Sequence, residues 1–189
     1  MAESNNVITK GMAGMVGDTI VFRQRAGKTI VSAAPKPTNK PSTEQQVQHR
    51  QKFQQAIIYG KKTLQNEATK AAYQAVAKEG ESAFNVAVAD MLHAPDIDTI
   101  DLSGYHGNPG DKILVKATDD FNITQVQVSI VNADGSVLES GDAEIGEDGI
   151  TWTYSATGTN ADLSGDKIVV KVSDLPGNLS QLDQVIANP

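Results

Sequence analysis

Met91-Leu92-His93-Ala94-Pro95-Asp96-Ile97-Asp98-Thr99-Ile100-Asp101-Leu102 is the stretch that decides the fold, because two regimes meet inside it. Upstream, Ser82 opens a segment in which Phe84, Ala87, Val88, Met91 and Leu92 recur at helical spacing. Pro95 closes it, since proline fixes φ and lacks the amide that a helix interior needs. From Ile97 onward the period changes to two, that of a strand with one face buried. The charge turns over at the same place. Residues 1–95 carry 12 Lys/Arg against 7 Asp/Glu, a balance of +5, and residues 96–189 carry 4 against 16, a balance of −12. A break that sharp marks a junction between two modules of different surface chemistry. Opposite fields on one small protein favour head-to-tail contact with its own copies or with a charged surface.

Downstream of the junction the candidate strands are 97–102, 112–117, 124–131, 136–139, 150–156, 167–173 and 181–186. Turn-forming runs separate them: Asn108-Pro109-Gly110-Asp111, Asp134-Gly135, Glu147-Asp148-Gly149, Ser164-Gly165-Asp166 and Pro176-Gly177-Asn178. Seven short alternating strands at this spacing predict a β-sandwich, with Trp152 in its core. Residues 110–119 (Gly-Asp-Lys-Ile-Leu-Val-Lys-Ala-Thr-Asp), Trp152-Thr153-Tyr154 and 168–178 (Ile-Val-Val-Lys-Val-Ser-Asp-Leu-Pro-Gly-Asn) give this half its likeness. On them it resembles the bacterial Ig-like domains of surface and particle-associated proteins. That resemblance implies a fold over roughly 90 residues and says little about function, since such domains serve display, spacing and adhesion alike.

Upstream of the junction, residues 1–16 are small and polar, with Gly11 and Gly14 and no helical period, and read as a flexible arm. Residues 18–32 predict a hairpin: β-branched runs at Thr19-Ile20-Val21-Phe22 and Thr29-Ile30-Val31, with a turn at Arg25-Ala26-Gly27-Lys28. Residues 34–41 hold three prolines and read as an extended linker. Ser42 or Thr43 then caps a helix whose Val47, Phe53, Ala56, Ile57 and Leu64 share a face. Asn66 caps a second helix with Ala68, Ala72, Tyr73 and Val76, which stops at Gly80. With the helix opened by Ser82, this makes a compact helical hairpin or bundle. On the residue 17–28 hairpin and the Thr43-Glu44-Gln45-Gln46 helix start, this half is similar to an uncharacterised family of small Bacteroidota proteins. The expected fold class is therefore α+β: a flexible arm over 1–16, a hairpin-plus-helices assembly domain over 17–95, and an Ig-like β-sandwich over 96–189.

Chemistry is harder to find. There are no cysteines, which removes disulfides, thiolate metal sites and Cys nucleophiles. His49, His93 and His106 lie far apart without HxxxH or HExxH spacing, no serine sits in a Gly-x-Ser-x-Gly elbow, and Gly107-Asn108-Pro109-Gly110 is a turn rather than a phosphate loop. The expectation is a non-enzymatic protein with no catalytic, cofactor or metal site. Asp119-Asp120, Asp134, Asp142, Glu144, Glu147-Asp148 and Asp174 offer hard oxygen ligands of the kind calcium takes. They show no EF-hand spacing, and Asp-Gly is ordinary hairpin-turn composition, so turns and solvation are the preferred reading.

The hairpin is the strongest pointer to a role. An isolated two-stranded hairpin is marginal in water, and neighbouring subunits can complete it by strand addition; the alternative, packing on its own helices, is weighed equally. The candidate assembly interface is Ile20, Phe22, Arg23, Arg25, Lys28, Ile30 and Val31. Arg50, Lys52, Lys61 and Lys62 extend the basic surface, with only Phe22 and Tyr59 as nearby aromatics. A solvated face, or one that meets the acidic half of another copy, is preferred over nucleic acid. The function expected is a structural subunit of a multi-copy bacterial or phage-like assembly (filament, tail or capsid accessory), its partners copies of itself and other particle subunits. The runner-up is a surface- or carbohydrate-binding Ig-like module, disfavoured by scarce aromatics in the acidic half; a DNA-organising protein ranks third. The start of the chain lacks the basic and apolar regions of a secretory signal, and no apolar run is long enough to span a bilayer. Cytoplasmic synthesis without membrane insertion is expected, with release only in a particle, by lysis or through a non-classical exporter.

Overall fold

The computed structural model describes residues 2–4, 6–36 and 41–186, and has three helices and three four-stranded antiparallel sheets, an α+β fold that is mostly β. The expected hairpin is present as β3 (Ile20–Arg25) and β4 (Lys28–Ala33). Ala26 and Gly27 join them with φ of 48° and 75°. Two successive positive-φ residues make the mirror-image turn whose twist matches paired strands. The run 1–16, read as an arm, departs from expectation: β1 (Ala2–Ser4) pairs with β4 and β2 (Gly14–Val16) pairs with β3. The sheet order is β1-β4-β3-β2, so the chain supplies both of the strands that the hairpin lacked. Lys28 Nζ to Glu3 Oε2 at 3.2 Å and the Gly11 amide to Thr29 Oγ1 at 3.0 Å fasten these segments to the hairpin. The linker expected over 34–41 falls partly outside the described residues.

Helix α1 (Glu44–Thr63) begins at Thr43, whose hydroxyl accepts from the Gln46 amide while the Gln46 side chain accepts from the Thr43 amide. This reciprocal pair satisfies two of the amides that a helix start leaves open. Helix α2 (Glu67–Val76) is capped by Asn66 and α3 (Ala83–Leu92) by Ser82. The α1–α3 contact is close because Gly60 has no side chain; a Cβ there would meet Phe84 and Val88 at 3.1 Å. Only Ala56 and Gly60 of α1 are buried, and Val47 and Phe53, expected on its inner face, are 41% and 44% exposed. The reason is length. α1 has 20 residues while α2 and α3 have 10 each, so partners about 15 Å long cannot cover a helix of about 30 Å.

Two further sheets build the C-terminal half. One has the order β5-β6-β10-β9, from β5 (Asp96–Asp101), β6 (Lys112–Thr118), β10 (Thr151–Ser155) and β9 (Glu144–Ile145). The other runs β12-β11-β7-β8, from β12 (Leu179–Val185), β11 (Lys167–Asp174), β7 (Ile123–Val131) and β8 (Val137–Asp142). Alternate residues of both sheets form one buried cluster: Ile113, Val115, Trp152 and Tyr154 from the first, and Val126, Val128, Ile130, Ile168, Val170 and Val172 from the second. The sheets therefore face each other across a common core. Asp166, 3% exposed, is held inside by the Ala133 amide at 2.8 Å and the Asn160 side chain at 2.7 Å, so its charge is not stranded.

Candidate functional site

Two places on the molecule carry more than packing. The first is the N-terminal sheet. Strand pairing sets Ile20 opposite Ala33 and Val16, and Phe22 opposite Val31 and Gly14. Alternation then puts Ile20, Phe22 and Val31 on one face, while Arg23, Arg25, Lys28 and Ile30 fall on the other. The seven residues singled out from the sequence are thus divided between two faces, one apolar and one basic. Thr29 is the only buried residue of this sheet among the described residues. Val7, Ile8, Met15 and Val16 are all more than half exposed, and Ile20 is partly so. Gln24, which donates to the Met12 carbonyl at 2.6 Å and to Thr29 Oγ1 at 2.9 Å, draws the segment between β1 and β2 over one end of the apolar face.

The second place is the seam where the helices meet the two-sheet half. Phe121, in the loop after β6, stacks on Tyr73 of α2 with ring centroids 4.1 Å apart and planes 28° from parallel. The Tyr73 hydroxyl donates to Asp90 Oδ2 of α3 at 2.5 Å. Tyr59 lies 2.9 Å from that hydroxyl and, with the Tyr73 proton already committed, donates to it. Asn178, just before β12, donates to the backbone carbonyls of Asp90 and His93 at 3.1 and 2.8 Å. His93 Nδ1 sits 2.6 Å from Asp120 Oδ2. Helix, loop and strand end are stitched together by polar contacts across the seam.

Three carboxylates converge there. Asp90, Asp119 and Asp174 each bring an oxygen within 4.8 Å of the others'. Asp119 Oδ2 accepts from the amides of Phe121 and Asn122 at 3.1 and 2.9 Å. Asp174 Oδ1 accepts from the amides of Gly177 and Asn178, and its Oδ2 from the Asn178 side chain at 2.7 Å. Asp90 is 1% exposed, and its Oδ1 and that of Asp119 are buried without a hydrogen-bond partner among the described residues. Burial pushes the Asp90 carboxyl up to about 6; the Tyr73 hydrogen bond pulls it down, and repulsion from Asp119, Asp174 and Asp120 adds to the rise. Burial likewise lifts the Tyr73 hydroxyl well above the usual tyrosine range, assisted by its bond to Asp90.

The sequence pointed to Asp119 and Asp174 as acidic loop residues but not to Asp90, and read all acidic positions as turns. Asp134 and Asp148 do serve turns. Asp134 accepts from the Ser136 hydroxyl and amide, and Asp148 from the Thr151 hydroxyl and the Thr151 and Ile150 amides, which hold Asp148 at about 2. Asp119 and Asp174 also brace their own loops, yet the fold brings them onto a third carboxylate. The signal available for Asp90 was its place in the stripe Ala83, Ala87, Asp90, a charge where the helical period calls for an apolar residue. Among the described residues no Lys or Arg forms an ion pair with any of the three, and no helix is long and apolar enough to cross a membrane. No family model matches this chain, and no match to it is found among curated proteins.

Proposed function

We propose that this chain is a non-enzymatic structural subunit of a multi-copy bacterial or phage-like assembly. The N-terminal sheet makes the contacts between copies, and the acidic half is an Ig-like β-sandwich displayed outward. The observation that carries this reading is the missing core of the N-terminal sheet. Among the described residues it buries no apolar side chain, while Val16 and Ile20 on its apolar face and Val7, Ile8 and Met12 in the segment between β1 and β2 stand exposed. A small sheet gains stability by packing an apolar face, and exposed apolar side chains on such a face point to an interaction site. The occupant is a second copy: the sheet's other face is basic, and another copy offers an acidic half of charge −12. Strand addition now falls to β1 and β2, the outer strands, since β3 and β4 are both paired within the chain. The Ig-like assignment is supported by seven longer strands arranged in two antiparallel sheets around one core.

The test is sedimentation velocity over a wide concentration range, with negative-stain microscopy of the largest species. Association that survives about 500 mM sodium chloride is expected for the native chain and is expected to be lost in the double variant Val16→Asp, Ile20→Asp. A native chain that stays monomeric up to millimolar concentration would sink the proposal.

A further inference from the structure

Three carboxylates gathered at a buried seam, with no Lys or Arg paired to them, form an arrangement that repels itself unless something positive lies between them. The unpartnered Oδ1 of Asp90, on a side chain 1% exposed, has lost water and gained no hydrogen-bond donor among the described residues; the Asp119 Oδ1 is in the same position. Buried acceptors of this kind call for a ligand. We propose that Asp90, Asp119 and Asp174 form a calcium site that clamps helix α3 to the two-sheet half of the chain.

The donor set and its burial select the ion. All three ligands are carboxylates, and neither histidine nor cysteine joins them, which favours a hard cation over zinc or copper. Calcium takes oxygen ligands in flexible geometry, whereas magnesium dehydrates reluctantly and keeps several waters, so buried carboxylate oxygens suit calcium better. The oxygens here lie within 4.8 Å of one another, close enough to share one ion. Three carboxylates supply between three and six oxygens, and water completes the shell. A polar cleft lined by His93, Ala94, Asp96, Thr118, Asp119 and Asp120 lies against Asp119. The ligands come from α3, from the loop after β6 and from the end of β11, so the bound ion ties three elements distant in sequence. The site lies within a single chain, and its test is independent of whether copies associate.

The full-length chain is stripped with EDTA, dialysed, and titrated with calcium chloride by isothermal titration calorimetry, with thermal melts in EDTA and in calcium. One calcium per chain and a raised melting temperature are expected, with at least tenfold weaker binding of magnesium. Asp119→Asn and Asp174→Asn should each weaken calcium at least tenfold, while Asp148→Asn, at an exposed turn, leaves it unchanged. Asp119→Asn carries a second readout that a merely structural aspartate would not give. It removes one of three like charges, so in EDTA it should melt above the native chain, and in saturating calcium below it. A folded native chain that shows neither heat nor a melting shift at millimolar calcium overturns the proposal. So does binding that survives in both Asp119→Asn and Asp174→Asn.

Discussion

At Ala26 the backbone takes φ of 48°, a region in which the Cβ of an L-residue crowds the carbonyl and costs about 1–2 kcal/mol. The turn needs this geometry, because the mirror-image two-residue loop is what keeps β3 and β4 in their twisted pairing. Gly27 meets the requirement at φ 75° without strain, and Ala26 does not. Asparagine tolerates the left-handed region far better, and Asn-Gly is the preferred pair for this turn. Ala26→Asn should therefore stabilise the N-terminal sheet by about 1 kcal/mol, close to the strain it relieves. The measurement is amide hydrogen exchange in β3 and β4, where protection should rise about fivefold, the factor equivalent to 1 kcal/mol. Unchanged exchange there would mean that the strain is absorbed elsewhere.

Among the elements, β8 shows how one side chain ties the edge of one sheet to a loop of the other. Glu139 Oε2 accepts from the Thr157 hydroxyl at 2.6 Å, the Thr157 amide at 3.0 Å and the Gly158 amide at 2.8 Å, just past the end of β10. Partial burial alone would raise its carboxyl, but these three bonds outweigh it and hold Glu139 below the ordinary value of 4.5. A folded state that binds a proton less readily than the unfolded chain gains stability from this group above the unfolded pKa. It loses that gain as the pH falls through the lower, folded value. The melting temperature of the native chain should thus drop between about pH 5 and pH 3 more steeply than that of Glu139→Gln. Parallel curves would show that the clamp does not depend on the charge.

The same scale explains what could be read in advance. Strands of five to nine residues such as β6, β7, β10 and β11 hold enough β-branched residues in alternation to declare themselves, and Asn66, Ser82 and the pair Ser42 or Thr43 marked the helix starts, with Thr43 the cap in the fold. β1, β2 and β9 have three, three and two residues. No period exists over so few positions, and they are strands only because a longer neighbour offers its edge. The exposed first half of α1 was invisible for a related reason: amphipathic spacing says which face is apolar, not whether a partner is long enough to cover it. The carboxylate cluster was legible one residue at a time and not as a set, because Asp90, Asp119 and Asp174 belong to elements that only tertiary packing brings together.

For the whole molecule, the charge division and the apolar sheet imply two kinds of contact with different symmetry. An apolar face packed on its counterpart in a second copy is self-complementary and closes as a dimer. A basic surface meeting the acidic half of the next copy is head-to-tail and propagates. Salt separates the two. Screening at 0.1 M already confines exposed charges to about 10 Å, and at 1 M to about 3 Å, whereas apolar burial is not weakened by salt in this way. The halves carry +5 and −12, so attraction between unlike halves competes with a stronger repulsion between like acidic ones. The arrangement that satisfies both sets acidic halves apart and lets each basic sheet reach a neighbour. On the proposed assembly, species larger than a dimer should dominate sedimentation profiles near 50 mM sodium chloride and shrink to the dimer near 500 mM. The Val16→Asp, Ile20→Asp variant should shrink to monomer instead, because the salt-resistant contact is the one it removes. A distribution that ignores salt would assign the whole association to the apolar face and leave the charge division without a part in it. One that dissolves to monomer in the native chain at high salt would do the reverse.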